Sequence, residues 1–234
     1  MLIWNAEDIL ERSLRATLPY VKEAHVIDSG STDKTMEILA KVKKDFSILE
    51  YTQENVQHLG ELWTGSRKDF ALTSLLNKLK KKTKSSWILK ADDDEIFPDF
   101  LMKEILDLEP TEDYYSIAWH HVMGENADTT YKRYYLRNAF VLRLFKNIPE
   151  ITWDGHYGKE TIAYNGYRIP VRKCKTFKSL FLHLGEYRKR FDEVKNAYHY
   201  YQGKYGNPGS GLYMPLPEEY RKYVEGIKKP NVPK

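Results

Sequence analysis

The stretch Trp87 to Pro98 reads WILKADDDEIFP: a short apolar run that breaks into Asp92, Asp93, Asp94 and Glu95 and then turns at a proline. Neighbouring carboxylates repel, and the repulsion becomes serious once water is partly excluded. Such a cluster needs either full solvation or a counter-cation. Trp87 to Lys90 or Ala91 reads as a strand, and the preceding segment, Arg67 to Lys82, carries Leu72, Leu75, Leu76 and Leu79 at helical spacing.

Working toward the N-terminus, the pattern alternates. Met1 to Trp4 reads as a short strand, Glu7 to Thr17 as a helix stopped by Pro19, and Ala24 to Ile27 as a compact strand. Ser29 to Asp33 is dense in turn and N-cap residues, and a helix from about Asp33 to Lys44 follows before a strand at Phe46 to Tyr51. Thr52 to Ser66 is a long polar connection, of the kind that is often functional inside a compact domain. Strands separated by helices of this length argue for βαβ crossovers and a largely parallel sheet, and ligands of such sheets sit at the carboxyl ends of the strands. Two of those ends are chemically loaded: Asp28-Ser29-Gly30 and the acidic quartet. Both loops are expected on one rim.

The 234 residues suffice for one large core, with 41% apolar and 30% charged residues, and no apolar run approaches the length of a bilayer span. No basic n-region or cleavage site suggests a signal peptide, and the single cysteine, Cys174, excludes an internal disulfide or a cysteine-rich zinc site, which fits a reducing compartment. A soluble cytoplasmic chain is expected, with peripheral membrane association through the lysine-rich end left open. The net charge is +4; the lysines at positions 78, 80, 81, 82 and 84 suit a solvated helix end, and a nucleic-acid partner is not expected. Among the 18 tyrosines, most suit core edges and some could stack on sugar rings.

Beyond Leu108, where a helix from Asp99 ends, the pattern changes. Tyr114 to Met123, Tyr134 to Phe145 and Thr176 to Leu184 read as strands, and Arg188 to Tyr205 as an amphipathic helix. The rest, with Pro208, Gly209, Gly211, Pro215 and Pro217, reads as an extended or mobile tail.

Residues two apart at a strand end project to the same side, so Asp92 and Asp94 are expected to converge on one ligand. Hard oxygen donors suit Mg²⁺ or Mn²⁺, which keep several waters and bridge to substrate phosphates. The strand ending at Asn5, the run HVIDSGSTDKT and the run WILKADDDEIF together resemble the GT-A glycosyltransferases of family 2, over most of residues 1 to 200. The resemblance implies an α/β GT-A fold: a Rossmann-like, mostly parallel sheet with helices on both faces and a smaller mixed acceptor-side region. It implies one domain over 1–205, with a nucleotide-sugar half at 1–110 and an acceptor half at 111–205, followed by the tail at 206–234. In that family the counterpart of Asp28 bonds the nucleotide base, and the Asp-x-Asp motif, here Asp92-Asp93-Asp94, holds a divalent cation on the diphosphate. The resemblance places Trp4, Asn5, Ser29 and Gly30 in the same nucleotide pocket, with Asp92 and Asp93 on the nucleotide-sugar and Asp92 and Asp94 on the metal.

Further residues extend the likeness. Ser66-Arg67-Lys68-Asp69 resembles an arginine-containing helix start that approaches the nucleotide, although the usual Arg-Asn pair is Arg67-Lys68 here. Val141 to Asn147, with Arg143-Leu144-Phe145, and Ile151 to Glu160, where Lys159-Glu160 replaces the usual His-Glu, resemble elements of a branch that includes lipopolysaccharide-core sugar transferases. The resemblance makes Glu160 the first choice of catalytic base and Asp154 the second, and places His183 as a completing metal ligand. It implies an inverting, metal-dependent hexosyltransferase that takes a nucleoside-diphosphate sugar, UDP-sugar favoured and GDP-sugar second, to a glycan, lipid-linked or protein acceptor. Two rivals are a sugar-phosphate nucleotidyltransferase, whose Gly-rich phosphate loop is not present, and a non-catalytic glycan- or polyanion-binding protein on the same fold.

Overall fold

The structure, a computed structural model, describes residues 1–54, 66–123, 127, 129–133, 140–154, 161–187 and 211–228. The chain opens with β1 (Leu2–Ile3), α1 (Leu10–Thr17), β2 (Ala24–Asp28), α2 (Thr35–Asp45) and β3 (Leu49–Gln53). The three strands form a parallel sheet in the order β1-β2-β3. Parallel neighbours cannot be joined by a tight hairpin, so each connection returns through a helix. Leu10 and Leu14 of α1 and Leu39 and Val42 of α2 are buried with Ile3, Val26 and Leu49, which fixes both helices on this sheet.

After α3 (Ser66–Lys82) come β4 (Trp87–Leu89), β5 (Glu95–Ile96), α4 (Asp99–Leu106), β6 (Tyr114–Met123), β7 (Thr129–Arg133) and β8 (Phe140–Lys146). Here the expected mostly parallel sheet is confined to three strands, and the mixed region is the larger part. β4 pairs antiparallel with β8, not parallel with the first three strands. β1 is two residues long and pairs with β2 through both of them, so it has few backbone groups to offer a second neighbour. The first half of β6 pairs antiparallel with β8, and its second half pairs with β7 and, in parallel, with β12 (Phe181–His183). A seven-stranded mixed sheet results, completed by β5 beside β12 and by β13 (Gly211–Pro215) beside β7. A third, antiparallel sheet contains β9 (Ile151–Asp154), β10 (Thr161–Tyr164) and β11 (Tyr167–Arg168).

One core joins these sheets. Ile27 of β2 packs with Leu75, Leu76 and Leu79 of α3, with Phe145 of β8 and with Trp153 and Ile162 of the third sheet. Asn77 on α3 adds a reciprocal pair: its Nδ2 donates to the Trp153 carbonyl and its Oδ1 accepts from the Trp153 N–H, both at 3.0 Å. The edge of β9 is thereby satisfied by a side chain.

The expected tail is also different in its described part. α5 (Glu218–Val224) follows β13, and Leu216, Tyr220 and Val224 are buried with Ile9, Ile96, Leu182 and Leu184. Arg12 Nη1 donates to the carbonyls of Tyr223 (3.1 Å) and Glu225 (2.7 Å), and the Tyr223 hydroxyl donates to Asp99. Gly211, Pro215 and Pro217, which suggested an open tail, punctuate a strand and a helix instead, because the apolar residues around them bury enough surface to order the segment; Pro208 and Gly209 lie outside the described residues. The expected helix at 188–205 lies outside the described residues.

Glu23, just before β2, ties the start of that strand to the connection between α3 and β4. Its Oε1 accepts from the N–H groups of Lys84 (2.8 Å) and Ser85 (2.5 Å), while Oε2 meets His25 Nε2 at 2.9 Å. Burial alone would raise this carboxyl; the bonds from Ser85, His25 and Lys84 prevail and take it from the ordinary 4.5 down to about 2. A depressed carboxylate contributes stability that is present above the unfolded value and lost as pH falls through the folded one. Glu23→Gln is therefore expected to cost about 1–2 kcal/mol in urea unfolding at pH 7, with the difference from wild type fading between pH 4.5 and pH 2. A difference that is constant across that window refutes the charge-based tie.

Candidate functional site

Asp28, at the end of β2, is wholly buried. Its Oδ2 accepts from the Gly30 N–H (3.2 Å), the Ser31 N–H (2.9 Å) and Gln53 Nε2 (2.9 Å), and its Oδ1 from the Ser31 hydroxyl. Ser31 Oγ in turn accepts from the Asn5 N–H at 2.7 Å, and Asn5 Oδ1 accepts from the Thr32 N–H at 2.9 Å. The Ser29 hydroxyl donates to the Ile3 carbonyl at 3.0 Å. Asn5 and Gly30 sit at φ 45° and 102°, left-handed conformations that an asparagine and a glycine tolerate best. Four residues singled out in the sequence, Asn5, Asp28, Ser29 and Gly30, thus knit the loops after β1 and β2 into one knot, with Trp4 half-buried beside it. Gln53 joins them from β3, and no sequence signal marked it.

The acidic quartet forms a second cluster. Its backbone does not continue a strand: the Glu95 N–H donates to the Asp92 carbonyl at 3.2 Å, closing a four-residue turn between β4 and β5. Strand alternation therefore does not govern these side chains, and the expectation that Asp92 and Asp94 project together as strand neighbours is corrected. Lys90 Nζ donates to both Asp92 oxygens, at 2.5 and 2.7 Å. Arg143, from β8, donates through Nη2 to Asp92 Oδ2 at 2.8 Å and to Glu95 Oε1. The Asp92 N–H donates to Glu95 Oε2 at 3.0 Å. Lys90, Asp93, Asp94, Glu95 and Arg143 are all buried. Burial would raise the Asp92 carboxyl, but Lys90 and Arg143 outweigh it and hold the group well below the usual range. At Glu95 the balance is reversed. Burial, which Arg143 opposes and Asp92 reinforces, pushes this carboxyl upward.

Asp94 faces β12. The register sets His183 opposite both Glu95 of β5 and His121 of β6. Asp94 Oδ2 lies 3.8 Å from His183 Nε2, and the Leu184 N–H donates to the Asp94 carbonyl at 2.8 Å. His121 and His183 meet through their Nδ1 atoms at 2.9 Å, with ring centroids 5.1 Å apart. Burial lowers His183 to about 4, with Asp94 opposing and His121 reinforcing, so the imidazole is neutral at pH 7. Gly185 completes the corner. A Cβ there would stand 2.9 Å from His183 Cε1 and 3.6 Å from Asp94 Oδ2.

The structure therefore brings His183 beside the acidic turn. Nothing in the sequence marks His121 or Lys90 as a site residue. His121 becomes visible only through the parallel pairing of β6 with β12, whereas Lys90 and Glu95 flank the quoted motif. Asp154 ends β9, half-buried and paired in register with Thr161. Arg67 lies in the first turn of α3, with its side chain outside the described residues; Glu160 lies outside them altogether. Among the described residues, no group of three or more His, Cys, Asp or Glu side chains is arranged to hold a metal ion. An open cleft of about 530 Å³ between α1 and α2, lined by Glu7, Glu11, Lys34 and Glu37 among others, includes neither Asp28 nor the acidic turn. No described helix is long and apolar enough to cross a membrane.

No protein-family model matches the chain, and no curated protein does. Among solved structures, TarS residues 1–349 from S. aureus matches with a TM-score of 0.52 at 16% identity, over 82% of this chain and 61% of that one. A second S. aureus TarS structure matches at 0.51 and 13% identity, over 86% of this chain and 38% of that one. The chain thus spans less than two thirds of each TarS chain it matches, 61% of one and 38% of the other. At these identities the likeness is one of fold alone.

Removing one partner of a buried ion pair strands the other charge. Arg143→Leu is expected to destabilise the fold by about 3 kcal/mol or more in urea unfolding, because Asp92 and Glu95 lose the same guanidinium. Arg143→Lys should recover only part of this, since a single ammonium cannot reproduce the fork. An unchanged midpoint in Arg143→Leu refutes the assignment.

Proposed function

We propose that the protein is a family 2-like GT-A glycosyltransferase that moves a sugar from a nucleoside-diphosphate donor, with a UDP-sugar favoured, to an acceptor hydroxyl. The observation that carries this reading is the meeting of Asp94, in a buried acidic turn at a strand end, with a neutral imidazole from β12 at 3.8 Å. The fold shared with TarS and the knot around Asp28 support it. In this reading residues 1–110 form the donor half, with the rim at Asn5, Asp28, Ser29 and Gly30 taking the nucleotide. Residues 111–205 form the acceptor half.

A carboxylate oxygen and a neutral imidazole nitrogen are donors that Mg²⁺ or Mn²⁺ accepts, so Asp94 and His183 would hold such an ion, with the diphosphate and water supplying its other ligands. When bound, the ion neutralises charge on the departing diphosphate. Asp92 plays a different part from the one its motif suggests. Held by Lys90 and Arg143, it fixes the turn that presents Asp93 and Asp94. In an inverting transfer, a carboxylate takes the acceptor proton as the hydroxyl attacks in line at the anomeric carbon. Glu160 is the first candidate for that base and Asp154, at the end of β9, the second.

The decisive experiment measures nucleoside-diphosphate release from a panel of UDP-, GDP- and dTDP-sugars, with and without Mn²⁺. Wild type is expected to turn over at least one donor in a metal-dependent manner, and Asp94→Asn to lower that turnover by about 100-fold. No donor binding and no release across the panel would sink the proposal. Gly185→Ala provides a second check, because its methyl group must displace His183. It is expected to shift stability by no more than about 1 kcal/mol while removing most metal-dependent turnover. Full turnover in this variant argues against His183 as a ligand.

A further inference from the structure

The third sheet carries a surface that the donor chemistry does not use. Asn165 and Gly166 form a two-residue turn between β10 and β11, with φ of 50° and 78°, and positive values at both positions are the pattern of a type I′ hairpin. Such a turn matches the strand twist and holds its register. Tyr164 and Tyr167 stand directly opposite each other across it, so their side chains share one face. Tyr114, from β6, meets Tyr164 edge-on with ring centroids 6.1 Å apart. Together with Asn165, Arg168 and Ile169, these rings line a groove of about 340 Å³. Tyr167 is 77% exposed. The lining has one formal charge, Arg168, which is exposed and makes no ion pair among the described residues.

We propose that this groove binds an anionic carbohydrate chain. The C–H faces of a sugar ring pack on the tyrosine rings, of which Tyr114 and Tyr164 already brace each other, sugar hydroxyls pair with tyrosine hydroxyls and the Asn165 amide, and a carboxylate or phosphate substituent pairs with the Arg168 guanidinium. A nucleic acid backbone calls for several cations in a row, and the groove offers one. The register also gives the surface an address. Tyr164 pairs with Ile151 and Thr161 with Asp154, so the tyrosines and Asp154 occupy opposite ends of the β9–β10 ladder, three residues or about 10 Å apart. The groove is thus a remote subsite for the acceptor, a role that rests on the transferase reading above; carbohydrate binding itself does not.

The test is an array of neutral, uronate-bearing and phosphorylated oligosaccharides probed with wild type, Tyr167→Ala and Arg168→Ala, with oligoglutamate as competitor. Both side chains are exposed, so both variants should melt as wild type does. Wild type is expected to bind anionic members, each variant to bind them about tenfold more weakly, and oligoglutamate not to displace them. The uronate and phosphate arms identify the substituent that Arg168 reads. Failure of wild type to hold any member, full binding by both variants, or displacement by oligoglutamate overturns the proposal. A thermal-shift arm with sugar nucleotides should respond equally in all three proteins. Array binding without any donor response would leave the groove standing and remove the transferase reading.

Discussion

Everything around the acidic turn depends on Arg143 and Lys90 neutralising carboxylates that have been taken out of water. Burying several like charges in one turn is unfavourable by many kcal/mol unless cations enter with them. Lys90 comes from just beyond β4. Arg143 comes from β8, whose carbonyl at the same residue accepts from the Lys90 N–H at 2.8 Å, so backbone pairing and charge pairing fix the same register. The Arg143 guanidinium also lies over the Phe181 ring, 5.6 Å from its centroid, which seats it between the turn and β12. Asp94 can then meet His183 without a repulsive penalty from its neighbours.

The two loaded loops belong to different sheets, yet they are mechanically linked by α1. The helix follows directly from the Asn5 loop, and its Ser13 hydroxyl donates to the Glu95 carbonyl at 2.6 Å. Ile9, just before it, packs with Ile96, Leu182 and Leu184 around the second cluster, while Leu10 and Leu14 face the first sheet. One short helix therefore has its faces committed to both. The N–H groups of Ala6 and Glu7 donate to Thr35 Oγ1 and Asp33, which fastens the start of α2 to the same rim.

Local signals in the sequence located most elements of the first half, because apolar spacing and turn residues act within a few positions. Leu39 and Val42 mark α2, and Ser29 to Asp33 mark the turn before it. Partner choice was less legible. Nothing within Trp87 to Leu89 says that β4 will take β8 as its neighbour, since that depends on how short β1 is and how long β6 is. The same holds for the site. Asp28 and the acidic quartet could be named from residue type and place at strand ends, and His183 through the family resemblance, but His121, Gly185 and Gln53 acquire their positions only from strand register and loop packing. Prolines and glycines near the C-terminus misled in the opposite direction, because turn residues were easier to see than the buried Leu216 and Tyr220 between them.

The ten residues of β6 belong to one continuous strand, yet they serve two groups of neighbours, β8 along the first half and β7 and β12 along the second. A beam shared in this way offers no joint between the parts it carries. Any relative movement must then be assigned to the segments suspended from it, so swapping whole halves of the fold is a poor engineering strategy, whereas grafting individual loops onto the intact beam is a sound one.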